Sequence, residues 1–152
     1  MSAAVAFFFG YLFTQCVCGA HDESHEHGEN TEKIAEVAKK YLGLKKFASC
    51  EEFVFNILKM AGAKVKMPFS AKSWGTLDQW GEDLCWKNRQ GGDDVAIHVG
   101  DVVSNKHRVG IVTSLNPGRT ATVVLDQVME TSLGFRKNEE FVVWCYICDL
   151  HE

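Results

Sequence analysis

Apolar positions recur at helical spacing in two early stretches and crowd into strand-like runs later in the chain. In "TEKIAEVAKKYLG", Ile34, Val37, Ala38, Tyr41 and Leu42 form one stripe, with Asn30 or Thr31 as the cap and Gly43 as the stop. In "SCEEFVFNIL", Phe53, Val54, Ile57, Leu58 and Ala61 form a second stripe that ends at Gly62. Ser49 and Glu52 have the spacing of a capping box, which makes Cys50 the first helical residue. The stretch "MPFSAKSWGTLDQWGEDLCW" lacks strand alternation and reads as a short helix and loop; its tryptophans, Trp74, Trp80 and Trp86, are expected to be core or loop anchors. "NRQGGDD" is a turn-rich link. Beyond it, "VAIHVGDVVS", "RVGIVTSL", "TATVVLDQVM" and "EFVVWCYICDL" are β-branched or aromatic, and "NPGR" supplies turn chemistry between the second and third. Helices followed by a run of antiparallel strands predict an α+β domain.

At 152 residues the chain has room for one domain of ordinary core size. Residues 1–20 carry no Asp, Glu, Lys or Arg, and "AAVAFFFGYLF" is an apolar run ending in small residues. It is too short to span a membrane and reads as a secretory signal cleaved near Gly19 or Ala20, which makes the protein an extracellular one without stable membrane insertion. The segment 21–30, "HDESHEHGEN", reads as a solvated acidic leader, whose His21, His25 and His27 could bind a transition metal weakly. The folded domain is then 31–152. Net charge is −4, and four acidic residues lie in the leader, so the body is close to neutral and lacks the clustered basic footprint of a nucleic-acid binder.

Cleavage would remove Cys16 and Cys18 and leave Cys50, Cys85, Cys145 and Cys148. "CYIC" has the spacing of redox and zinc sites, but strand alternation sends its two cysteines to opposite faces and no second ligand pair exists. A bridge from Cys85 to Cys145 or Cys148 is expected instead, with one thiol left over. Cys50 has a different environment: the N-terminus of a helix favours the thiolate, the nucleophilic form of cysteine. Such a nucleophile needs a base and usually a polar group to orient it. Of the six histidines, three lie in the leader and His151 adjoins the C-terminus. His107, at the mouth of a strand, is the better placed base, and His98 falls inside an apolar strand. Asp126, on the next strand, is the candidate orienter; Gln127 should point to the other face, and Asn116 is already explained as a turn residue.

The combination resembles the NlpC-like and CHAP superfamily of cysteine peptidases and amidases. After the helix-borne cysteine come Gly100-Asp101-Val102-Val103, then His107 with Val109-Gly110-Ile111, and then Asp126 where a polar residue is expected. The resemblance covers roughly residues 45–130. With the leader and the "SCEEFVFNIL" helix, the chain is most similar to the domesticated amidase effectors of ticks and mites, related to bacterial type VI secretion amidase effectors. The resemblance implies a papain-like fold and an antibacterial enzyme that cleaves peptide cross-links of peptidoglycan, with Cys50, His107 and Asp126 as catalytic residues. Cysteine acyl transfer of this kind requires no metal or organic cofactor, and the sequence leaves the oligomeric state open, with a monomer as the expectation. The chain departs from the pattern in two places: Ser49-Cys50-Glu51-Glu52 stands where Asp-Cys-Ser-Gly is usual, and Arg108 is inserted between the histidine and Val-Gly-Ile. The competing readings are a secreted wall-binding module without turnover and a cysteine protease acting on proteins.

Overall fold

The structure is a computed structural model that describes residues 24–67, 69–77, 85–92 and 96–151, with the backbone alone for 24–30. The signal reading of residues 1–20 and the position of Trp80 lie outside the described residues. Among the described residues three helices, α1 (Ser24–Lys39), α2 (Cys50–Ala61) and α3 (Ala71–Trp74), precede six strands. These are β1 (Trp86–Gln90), β2 (Val102–Ser104), β3 (Val109–Ser114), β4 (Arg119–Val124), β5 (Gln127–Ser132) and β6 (Val142–Tyr146). They form one sheet in the order β1-β6-β2-β3-β4-β5, antiparallel throughout. The chain is therefore α+β.

The main core lies between the helices and one face of the sheet. Phe53, Val54, Ile57, Leu58 and Ala61 of α2, all fully buried, meet Val109, Ile111, Ala121, Val128, Trp144 and Tyr146 of the sheet. Alternation along the strands sends Val103, Val112 and Val143 to the other face, where Ile97, Leu133, Phe135 and Phe141 cover them. The α2 stripe folds as its spacing predicts, because burying each large apolar side chain contributes about 1.5–3 kcal/mol. Gly62 ends the helix at φ 90°, and a Cβ there would overlap the His151 carbonyl. Trp74 and Trp86 are core residues, stacked edge to face with each other, and the Trp144 indole N–H donates to the Trp74 carbonyl.

Four sequence expectations change. The helix α1 begins at Ser24, so the proposed caps Asn30 and Thr31 are inside it, and the backbone of 24–30 is helical rather than a linker. "TATVVLDQVM" is two strands: Val124 pairs with Gln127 across a tight turn in which Leu125 and Asp126 both have positive φ. That turn lacks the Asn-Gly or Asp-Gly signal usual for such geometry. β1 was masked by its polar sequence, "WKNRQ", which suits an edge strand. In the "VAIHVGDVVS" run only Val102–Ser104 is strand, and His98 precedes it in a turn whose backbone N–H donates to Asp101 Oδ2 at 2.8 Å.

Cys85 and Cys148 form a disulfide, and Cys145 is disulfide-bonded as well. Cys50 is the free thiol among the described residues. His98, Asp101 and Cys145 place ligand atoms within 4.8 Å of one another, but a disulfide sulfur is not a thiolate, so the trio offers two ordinary metal ligands rather than three.

Candidate active site

The N-terminus of α2 is built by its capping box. The Ser49 side chain accepts from the Glu52 N–H at 3.1 Å, and Glu52 Oε1 accepts from the Ala48 N–H at 2.6 Å. These bonds fix the entry of the chain and set Cys50 at the first helical position, half-buried against the sheet. There the Cys50 sulfur meets the backbone N–H of Val109, the first residue of β3, and lies within reach of the Arg108 charge.

The thiol is not activated at rest. Burial pushes the Cys50 pKa up, and the neighbouring Glu51 carboxylate adds to the rise; the Val109 N–H and Arg108 oppose it without reversing it. The Cys50 thiol donates to Glu51 Oε1 at 3.3 Å. Burial of Glu51 works against its charge, but hydrogen bonds from its own N–H, the Ala71 N–H, Cys50 and Ser49 outweigh that and lower its pKa. The sequence expectation weighed the helix terminus alone; burial and the adjacent carboxylate act against a thiolate here and set the direction of the shift.

His107 sits in the loop between β2 and β3. Asn105 shapes that loop: its Oδ1 accepts from the N–H groups of His107 at 3.0 Å and Arg108 at 2.8 Å, and its own N–H donates to the Arg108 carbonyl. Lys106 takes a positive φ between them. Asn105 is buried and its Nδ2 donates to Glu139 Oε1 at 2.5 Å. His107 is exposed, two residues before the N–H that touches the Cys50 sulfur.

Asp126 is exposed at the second position of the β4–β5 turn, rather than on a strand. β3 and β4 are antiparallel, so the loop before β3 that holds His107 and the turn after β4 that holds Asp126 lie at the same end of the sheet. Cys50, His107 and Asp126 are thus gathered at one end of the sheet. Among the described residues no hydrogen bond joins their side chains. The alternatives are elsewhere: Asn116 is in the turn at the other end of β3, Gln127 Nε2 donates to the Gly43 carbonyl, and the His98 imidazole lies 3.7 Å from Asp101.

Beside His107 a cavity of about 250 Å³ opens, lined also by Arg108, Val124, Thr131, Phe135 and Arg136. Sequence reasoning missed Glu51, Asn105 and Arg136. Of these only Asn105 left a local trace, as an Asx-turn residue two positions before the histidine. Compared with family models, curated proteins and solved structures, the chain finds no match.

Proposed function

We propose that the protein is a secreted cysteine amidase that cleaves peptide cross-links of bacterial peptidoglycan, on a papain-like variant of the α+β fold. The observation that carries this reading is the placement of the free thiol. Cys50 stands at a capped helix N-terminus against the first N–H of β3, itself two residues from His107, while Cys85 and Cys148 are tied to each other in a disulfide.

On substrate arrival, the His107 imidazole takes the Cys50 proton as the sulfur attacks the amide carbonyl. Since the resting thiol is neutral, deprotonation and attack belong to one step. The tetrahedral oxygen is stabilised by the Cys50 N–H at the helix terminus; one donor of this kind is often worth about 3–4 kcal/mol. Collapse breaks the C–N bond, and the imidazolium gives its proton to the leaving amine. Water, deprotonated by His107, then attacks the thioester, releasing the carboxylic acid and restoring the thiol. Asp126, in the turn at the same end of the sheet, is assigned the orienting role. A His107→Ala variant should lose at least about a hundredfold in turnover of purified sacculi; full turnover in that variant would remove His107 from the mechanism.

One observation favours a second reading, a wall-binding module without turnover: the Cys50 thiol is engaged by Glu51 and its pKa is raised. That reading predicts protein retained on sacculi whose muropeptides are unchanged.

A further inference from the structure

The charged side chains that line the cavity beside His107 are two arginines, Arg108 and Arg136. With them stand His107, Asn105, Thr131, Val124 and Phe135, and no carboxylate lies among the lining residues. The guanidiniums are underused. Arg108 makes one long bond, from Nη1 to the Val123 carbonyl at 3.4 Å, and the Arg136 side chain has no hydrogen bond or ion pair among the described residues. Of the carboxylates around it, Glu139 accepts from the lining residue Asn105, and Asp126 lies in the turn that follows Val124. Two planar donor forks and an imidazole around a half-apolar hollow match a carboxylate attached to a small aliphatic body. The Phe135 and Val124 walls suit the ligand's apolar part.

We propose that this cavity is a carboxylate-binding subsite, in which Arg108 and Arg136 hold a carboxylate of the substrate next to His107. This rests on the amidase reading for its purpose, but binding itself does not require turnover. Arg108 connects the two regions: it lines the cavity and its charge also reaches the Cys50 sulfur. The residue by which this chain departs from the His-Val-Gly-Ile pattern is therefore the one that gives the site its anchor. A carboxylate seated there orients the rest of a peptide towards the thiol.

The test uses the full folded domain carrying Cys50→Ala, so that no turnover enters the readout, and follows the His107 imidazole by NMR during titration. N-acetyl-dialanine supplies a terminal carboxylate, N-acetyl-glutamic acid α-amide a side-chain carboxylate, and N-acetyl-dialanine amide neither. The proposal expects saturable shifts of His107 with at least one carboxylate probe and none with the amide; the tighter of the first two identifies the source of the carboxylate. Adding Arg136→Gln should weaken that binding at least tenfold, and Arg136→Lys should restore only part of it. Equal binding of acid and amide, absence of binding by both acids, or full affinity in the Arg136→Gln protein would overturn it. None of these outcomes depends on whether sacculi are cut, so failure of the subsite and failure of the amidase reading are distinguishable.

Discussion

At Cys50, opposing influences meet. Burial and the Glu51 carboxylate disfavour a thiolate, while the Val109 N–H and the Arg108 charge favour it, and the first pair dominates. Iodoacetamide labelling of Cys50 should therefore show a pH midpoint above the ordinary thiol value of 9.0 in the ligand-free protein. Because the folded pKa is the higher one, the stability this thiol contributes is fully present below about pH 9 and is lost as pH rises through the folded value. Replacing Glu51 with Gln removes the adjacent negative charge but keeps an acceptor for the Ala71 N–H, now 3.2 Å from Glu51 Oε2. Its midpoint should move down and labelling at neutral pH should accelerate several-fold; an unchanged midpoint would show that burial alone sets the thiol's state. The Glu51 carboxylate stands beside Cys50 in "SCEEFVFNIL", but the burial that sets the direction of the shift comes from tertiary packing and left no trace there.

The elements divide by how local their causes are. The helix α2 was readable because its cap, its apolar stripe and its Gly62 stop lie within fourteen consecutive positions. The β4–β5 hairpin was not, since Leu125 and Asp126 adopt positive φ without glycine or asparagine at either position and only tertiary pairing forces the turn. β1 escaped notice for a related reason: its polar residues are tolerated at a sheet edge, and its pairing partner β6 is more than fifty residues further on. The β2–β3 loop is the element on which the site depends most. Asn105 satisfies two backbone donors there from a buried position, and Ala cannot replace those bonds. Asn105→Ala should cost about 1–3 kcal/mol in denaturant unfolding and reduce turnover by releasing His107 from its present position. A variant with wild-type stability and rate would show that the loop is held by Lys106 and the strands alone.

Across the whole molecule, the helices lie on one face of an antiparallel sheet and the candidate site lies at one end of it. The α+β class followed from the order of helical and strand-like segments, whereas the convergence of Cys50, His107 and Asp126 at one sheet end required the register itself. The Cys85–Cys148 bridge joins the segment before β1 to the segment after β6, closing a loop of sequence separation 63. A loop of that length corresponds to about 4 kcal/mol in the chain-entropy description. Replacing both cysteines with Ala should lower Tm by about 10 °C while leaving Cys50 labelling unchanged; a Tm within a degree or two of wild type would mean that the bridge constrains little of the unfolded chain.

The most direct measurement is digestion of purified peptidoglycan sacculi by the wild-type protein and by Cys50→Ala, with the released muropeptides separated and weighed by mass spectrometry. Wild type should convert cross-linked dimers to monomers, each cut adding one water, and the variant, folded as judged by circular dichroism, should leave the dimers intact. Dimers untouched by wild type, or cut equally by both proteins, would contradict a Cys50-dependent amidase.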